Sequence, residues 1–258
     1  MTELRREALK IAMPWLVLAG LLIVWEIACV VFAVPEIILP RPSKVFAVFF
    51  QRFDILMAYS WDTLWTTLIG FLLAIAGGLL MGLAIGASPF VYSGLYPLLI
   101  AFNAIPKVAI VPILMIWVGV GSLPAVITAF AISFFPIVVN VATGLATIEP
   151  ETEDVLRALG AKKLDIMLKV GIPRSMPYFF GSLKIAITLA FVGSVVSETV
   201  ASNYGLGNMM SSAQSQFNVP LVFAGLLALA VEGIAMYALM AWLEKRMTGW
   251  AHRSTMAN

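Results

Sequence analysis

The sequence predicts an all-α protein that crosses a membrane about six times, as a single domain over residues 1–258. Of these residues 61% are hydrophobic and only 12% are charged, with a mean hydropathy of +0.98, whereas a soluble domain is typically about 25% charged. The apolar runs are long and unbroken. A transmembrane barrel would instead show segments of about ten residues with alternating polarity, so helices are the predicted membrane-crossing elements.

The first predicted span covers residues 14–32 and follows a short basic N-terminus. A signal peptide is disfavoured because the hydrophobic run is long and no clear small-residue cleavage site follows it. Residues 34–60 contain several prolines and scattered charges, a pattern that predicts an extended loop and then an amphipathic helix at the membrane surface. Insertion of residues 45–59 is disfavoured because this stretch is short and carries two charges.

The second and third predicted spans carry glycine and proline signals. In the second span, residues 61–87, glycines recur at every fourth position from Gly78 to Gly86. Small residues at this spacing allow close helix packing within lipid. The third span, residues 94–120, is interrupted by Pro97, Pro106 and Pro112, so it must bend, and the carbonyls freed at the bend need protein or water neighbours.

Three further spans complete the prediction. The fourth follows a glycine and proline turn and ends at about residue 146, the fifth covers residues 178–200, and the sixth covers residues 219–243. A segment rich in Ser, Asn and Gln, residues 202–218, separates the last two. The sequence therefore predicts six membrane crossings in total.

A polar stretch over residues 149–177 holds ten of the thirty charged residues and cannot cross a bilayer. Pro150 suits a first helical position, and the carboxylates that crowd the start suit the positive end of a helix dipole. The pattern predicts a short helix, a hinge at Gly160 and Ala161, and a second short helix that ends before Pro173. On pattern alone, a solvated linker between two spans explains the stretch equally well.

The run DVLRALG, residues 154–160, followed by Ile172 and Pro173, resembles the EAA loop of ABC-transporter membrane subunits. In that loop an acidic residue stands six positions before a fixed glycine. Here Asp154 replaces the usual glutamate, and valine and leucine replace the two alanines. The segments AIPKVAIVP (104–112), SFFP (133–136) and YGLG (204–207) are similar to the nitrate, sulfonate and taurine branch of these permeases, and the resemblance covers roughly residues 39–246.

The resemblance implies a type I ABC importer permease in a bacterial inner membrane, built from two copies of the chain. It also implies a pair of ATP-binding subunits, which use ATP and magnesium, and a periplasmic or lipid-anchored substrate-binding protein. The ATPases would dock on a coupling loop over residues 149–173. The loop positions that match the motif are Asp154, Arg157, Ala158, Leu159, Gly160, Ala161, Ile172 and Pro173.

The distribution of Lys and Arg predicts the orientation. With six spans, the N-terminus, the polar stretch and the C-terminal tail place eleven of these residues on one face, and the opposite face has three, Arg41, Lys44 and Arg52. Positive residues remain in the cytoplasm, so both termini and the polar stretch are expected there.

The sequence lacks the motifs that are typical of several functional classes. The sequence has no phosphate-binding loop, HExxH, GxSxG or strand-linked GxGxxG. We therefore expect that this chain does not hydrolyse ATP and is not an enzyme. It also lacks a basic patch with interleaved aromatics, which disfavours nucleic acid. The lone Cys29 is expected to be a buried thiol and the lone His252 a solvated tail residue. No bound cofactor or metal is therefore predicted.

Two alternatives to an ABC permease remain open. An intramembrane enzyme could use Glu198 and Glu232 as acids, but neither has a basic or nucleophilic partner one helical turn away. An ion-driven carrier is disfavoured because the two halves of the chain do not repeat each other.

Ionisable residues within the spans should face a partner or a wet cavity, because a charge at the bilayer centre costs about 2.5 to 3.5 kcal/mol. We expect Lys184 and Glu232 to pair, since their depths roughly match, and Glu26 to face a packed neighbour. Ala104, Pro106 and Lys107 are placed at the constriction of the pathway, with Glu198 near its outer mouth. The alternative for Lys107 is that it extends to the surface.

An ammonium group in the pathway favours an anionic substrate. The resemblance spans transporters of nitrate, taurine and other sulfonates, aromatic carboxylates and thiamine-precursor pyrimidines. The sequence does not choose among these substrates.

Overall fold

The structure is a computed structural model that describes residues 3–146 and 150–250, and its regular elements there are all helical. In chain order they are α1 (Glu3–Val31), α2 (Pro42–Gln51), α3 (Phe53–Gly86), α4 (Pro89–Ala104), a 3₁₀ turn (Lys107–Ile110), α5 (Val111–Val118), α6 (Ser122–Ala146), α7 (Pro150–Ala158), α8 (Lys163–Ile166), a π-helical turn (Met167–Gly171), α9 (Ile172–Ala201), α10 (Gly205–Ser215) and α11 (Val219–Thr248).

Five segments of the described chain are long and apolar enough to cross a bilayer. They are Ala12–Val31, Phe53–Gly86, Ser122–Ala146, Lys163–Ala201 and Val219–Thr248. The segments Phe90–Ala104 and Lys107–Val118 form a sixth crossing if they are taken together, with a bend of 69° between them. The bend expected at Pro106 is therefore confirmed.

Helices α3 and α6 run parallel and pack closely along a row of glycines. A Cβ atom added at Gly78 would lie 2.8 Å from Ile137 Cβ, and one added at Gly82 would lie 2.7 Å from Val141 Cβ. Gly86 meets Leu145 in the same way. The close packing predicted from the glycine spacing is confirmed.

The core lies where α6 packs between α3 and α9, with α11 on the other side of α9. Its fully buried side chains include Phe71, Ala129, Ile137, Ile187 and Leu206. Helix α1 lies at the periphery, because only 6% of its span is buried, compared with 50% for α6. Glu26 ties α1 to the first turn of α2 by accepting hydrogen bonds from the backbone N–H (2.9 Å) and hydroxyl (2.8 Å) of Ser43.

The boundary between the amphipathic helix and the second span differs from the prediction. Helix α2 already ends at Gln51, and α3 begins at Phe53, so residues 53–60 belong to the span. The physical reason is packing, because Leu56 is fully buried in the core and Ser60 is nearly so. Core contacts therefore extend the helix beyond the point where the hydropathy pattern places its start.

The predicted helix end before Pro173 is wrong. The helix that begins at Lys163 continues through the π-helical turn into α9, and the whole run reaches Ala201. In this turn the N–H of Ile172 bonds to the carbonyl of Met167, five residues earlier. Because the hydrogen-bond ladder is already shifted there, the missing N–H of Pro173 falls at the start of α9, where proline is tolerated.

The two ends of the bundle differ. At the polar-loop end, α7 and α8 connect α6 to α9. At the opposite end, α10 lies between α9 and α11 and packs on α3. The turn before α6 also reaches this opposite end, where Gly121 donates its N–H to the Ala201 carbonyl (2.9 Å).

Candidate functional site

The polar loop reverses direction at Gly160, as the pattern predicted. The N–H of Gly160 bonds to the carbonyl of Arg157 (2.9 Å) and the N–H of Ala161 to the carbonyl of Leu156 (3.0 Å). This pair of bonds is the Schellman motif that ends many helices, with Gly160 at φ +88° in the left-handed region. No atom lies within 4 Å of where a Cβ would stand, so Gly160 is required by the backbone and not by packing.

The loop presents apolar side chains to solvent around this reversal. The exposed residues are Val155 (60%), Leu159 (79%), Leu164 (60%) and Leu168 (52%). One of them, Leu159, lines an open groove of about 290 Å³ between α7 and α8, whose other lining residues are Leu156, Gly160, Ala161, Asp165, Ile166, Lys169 and Val170. Exposed apolar side chains on an otherwise charged segment are typical of a surface that binds a partner.

The remaining positions of the predicted coupling loop are not among the residues that line the groove. Arg157 forms an ion pair with Glu153 along α7 (2.5 Å), and Asp154 and Ala158 are exposed. Ile172 and Pro173 stand at the start of α9, so the loop leads directly into a membrane span. Glu149, the first residue of the predicted loop, lies outside the described residues, as does His252.

The bend between α4 and the 3₁₀ turn brings together the first three predicted pathway residues. Ala104 ends α4, and Ala104 and Pro106 are exposed. Lys107 is half-buried, and its Nζ donates to the backbone carbonyl (2.9 Å) and side-chain Oδ1 (3.0 Å) of Asn103. Its Nζ also lies 4.8 Å from the centre of the Phe135 ring.

The Lys107 ammonium has a clear local role. In a continuous helix the Asn103 carbonyl would accept from the backbone N–H of Lys107, but the break at Pro106 removes that bond. The side chain of the same lysine satisfies the carbonyl instead. An ammonium has three donors, and two of them are given to Asn103.

Glu198 lies in a different part of the fold. Its side chain is 1% exposed and is held among α3, α9 and α10. The carboxylate accepts from Thr63 (2.8 Å), Thr66 (3.2 Å) and Ser194 (3.4 Å) hydroxyls and from the backbone N–H of Gly207 (3.1 Å). Because Glu198 faces the interior of the bundle, we do not retain it as a residue at the mouth of the pathway.

The predicted pair of Lys184 and Glu232 is wrong. Lys184 pairs with Glu244 of α11, with 2.5 Å between Nζ and Oε2. Glu232 stands twelve residues earlier on α11, about 18 Å along a helix, and its buried carboxylate oxygens accept no hydrogen bond from the described residues. The error is one of register, because α9 and α11 pack so that Lys184 lies beside Glu244 and not beside Glu232.

Sequence reasoning missed Thr63, Thr66, Ser194, Asn103 and Glu244. The first three supply hydroxyls from two helices that are far apart in the chain. The sequence signal for Thr63 and Thr66 is their spacing of three, which places both on one face of α3. Asn103 carries a weaker signal, since it stands four residues before Lys107.

Comparison with known proteins decides the family. The model of the binding-protein-dependent transport system inner membrane component family matches residues 74–249. The chain belongs to this family. It is therefore a permease subunit of an ABC importer, and the family consists of membrane components and not of enzymes.

The relatives of the permease match nearly its whole length. A probable ABC transporter permease from Haemophilus influenzae is 31% identical, covering 92% of this chain and 97% of the relative. A formylaminopyrimidine transport permease from Halalkalibacterium halodurans is also 31% identical, covering 92% and 95%. A taurine transport permease from Escherichia coli is 26% identical, covering 90% and 87%.

The fold matches a solved ABC transporter. A chain of the inward-facing MetNI methionine ABC transporter superposes with a TM-score of 0.64 at 18% identity, covering 77% of the permease and 98% of that chain. The permease thus has the type I ABC importer architecture that the sequence predicted.

Proposed function

We propose that the polar loop of this permease is the coupling site through which partner ATPase subunits drive transport. The observation that carries the proposal is the exposure of Val155, Leu159, Leu164 and Leu168 on a loop that is otherwise strongly charged, together with an open groove lined in part by Leu159. Apolar side chains with this exposure are stabilised when another protein covers them. In a membrane component of a binding-protein-dependent system, ATP-binding subunits are partners that fit this surface.

The path from this groove to the membrane is short. Ile166 of α8 is buried, and the helix that contains it continues without a break into α9. Along its length α9 packs on α6, α11 and α3. A force applied at the groove therefore acts on the helix that contacts most of the core.

The proposal is tested by replacing the two apolar residues on either side of the reversal. In the assembled complex, Leu159→Ser and Leu164→Ser should each weaken ATPase binding and lower uptake, while the permease still inserts. Lys162→Ser is the matched control, because Lys162 is exposed in the same turn and its side chain ends in an ammonium and not in an apolar group. Normal ATPase co-purification and normal uptake in both leucine variants would show that the loop is only a linker.

We further propose that two copies of the chain form the pathway and that both termini lie in the cytoplasm with the polar loop. A periplasmic or lipid-anchored binding protein delivers the substrate to the opposite end. The bend at Ala104, Pro106 and Lys107 lines the pathway, supported by the exposure of Ala104 and Pro106 and by the polar surroundings of Lys107.

The proposed substrate is a small anion or organic acid, such as a sulfonate, taurine or nitrate. The Lys107 ammonium favours an anion, and two relatives are named for aliphatic sulfonates and taurine. The alternatives are an aromatic acid and a thiamine-precursor pyrimidine, and one relative is named for formylaminopyrimidine. Binding of taurine, an alkanesulfonate, nitrate, an aromatic carboxylate and an aminopyrimidine to the delivering protein, measured by calorimetry, separates them.

A further inference from the structure

Three helices meet on the Glu198 carboxylate. Thr63 and Thr66 come from α3, Ser194 stands one turn earlier on α9, and Gly207 belongs to the first turn of α10. Because 2.6 Å separates Thr66 Oγ1 from Ser194 Oγ, one of these two hydroxyls donates to the other, which leaves the second free to donate to Glu198. The cluster is buried and lies at the end of the bundle opposite the polar loop.

The same cluster caps α10. The first N–H groups of a helix lack partners within it, and the N-cap residue of α10, Tyr204, makes no side-chain cap. The N–H of Leu206 instead donates to Thr63 Oγ1 (2.8 Å), and the N–H of Gly207 donates to Glu198 (3.1 Å). Side chains of α3 and α9 therefore supply the capping groups of α10.

The two glycines of the YGLG segment allow this approach. Gly205 has φ +87°, and a Cβ there would overlap the Glu198 carboxyl group. A Cβ at Gly207 would lie 2.8 Å from Glu198 Cβ. The start of α10 and the Glu198 side chain are thus packed against each other with no room for another side chain.

We propose that Glu198 is the positioning residue of α10, and that with Thr63 it forms a hydrogen-bonded joint that makes α10 move with α9 during transport. The joint acts through hydrogen-bond geometry and not through a charged partner, because the groups within hydrogen-bond distance of the carboxyl group are hydroxyls and a backbone N–H. The proposal that α10 moves with α9 during transport rests on the proposed function, in which the ATPases act on the other end of α9. The joint itself stands on the contacts alone.

Replacements at Glu198 discriminate geometry from charge. Glutamine fits, because its oxygen can accept from Thr63 and Gly207 while its NH₂ group donates to the Thr66 and Ser194 hydroxyls, which can also accept. Leucine leaves the Gly207 N–H without its acceptor and leaves the Thr63 hydroxyl only the Tyr59 carbonyl, at 3.3 Å. Aspartate keeps the charge, but its carboxylate is withdrawn by one methylene.

The readout is the accessibility of α10 in the full complex, with Cys29→Ala as background and Met209→Cys as reporter, since Met209 is a buried residue of α10. Glu198→Leu and Glu198→Asp should raise the maleimide labelling rate on the order of tenfold, equivalent to about 1.4 kcal/mol of α10 docking. Both should lower uptake while ATPase co-purification is retained. Glu198→Gln should label and transport like the parent.

Variants of Thr63 provide an independent test of the joint if a Glu198 variant fails to assemble. Thr63→Val removes the hydroxyl that links α10 to Glu198, and Thr63→Ser retains it, so only valine should raise labelling. Unchanged labelling in both Glu198→Leu and Thr63→Val would overturn the joint. Raised labelling in Glu198→Gln together with parental labelling in Glu198→Asp would also overturn it. Leu159→Ser should leave labelling at position 209 unchanged, which separates failure of the loop from failure of the joint.

Discussion

Lys184 of α9 and Glu244 of α11 form an ion pair with 2.5 Å between Nζ and Oε2, although the two residues are sixty positions apart. Their side chains are 25% and 19% exposed within the chain. A lysine within a membrane helix needs such a partner, because its ammonium is costly to place in hydrocarbon. The pair therefore fixes the register of the last two spans.

Loss of this pair should destabilise the permease. Replacing Glu244 with Gln leaves the Lys184 ammonium without its carboxylate, and we expect a loss of roughly 2 kcal/mol together with a lower thermal midpoint of the purified complex. Glu232→Gln is the control, because the Glu232 carboxylate accepts no hydrogen bond from the described residues. A drop in the midpoint for Glu232→Gln as large as that for Glu244→Gln would contradict the assigned pairing.

Substitution of Gly160 should depend on backbone preference and not on side-chain size. The site is open, but its φ of +88° costs most residues about 1 to 2 kcal/mol and a β-branched residue more. Gly160→Val should therefore insert normally while uncoupling ATP hydrolysis from uptake. Gly160→Asn should retain coupling, because asparagine tolerates this region. Equal ATP consumption per substrate transported in both variants would show that the reversal is not required.

Variants of Lys107 separate its structural role from an effect of its charge. Lys107→Gln can still donate to the Asn103 carbonyl but carries no charge, whereas Lys107→Met does neither. If the charge attracts an anionic substrate, both variants should reduce uptake with the amount of assembled complex unchanged. Should glutamine transport normally and methionine fail, Lys107 serves the bend alone, and the preference for an anion is lost.

The proposed orientation is measurable by labelling intact cells. In a Cys29→Ala background, cysteine at Lys162 in the polar loop should react with an impermeant maleimide only after the membrane is opened. Cysteine at Gln214, which is exposed on α10 at the opposite end, should react from outside. Reversed accessibility at either position would invert the topology inferred from the eleven-to-three charge distribution.

Local signals in the sequence were sufficient for much of the fold. The glycine spacing from Gly78 to Gly86 predicted close packing because every fourth residue shares a helix face, and α6 occupies that face. The bend at Pro106 and the reversal at Gly160 were also predictable from local sequence, because each depends on the backbone conformations open to a single residue.

Features that depend on tertiary register were not predictable. The partner of Lys184 depends on the register between α9 and α11, and no local pattern encodes that register. The burial of Glu198 depends on hydroxyls of α3 that are more than 130 positions away. Pro173 failed as a stop signal because the π-helical turn before it absorbs the missing hydrogen bond.

The unbroken helical run Lys163–Ala201 has a mechanical consequence. Its 39 residues measure about 58 Å end to end, nearly twice the hydrocarbon thickness of about 30 Å. In the proposed coupling mechanism the run would act as a lever arm, with the end near Ala201 held by the Glu198 joint. If the run tilts about that fixed end by roughly ten degrees, Lys163 at the other end would move by about 9 Å.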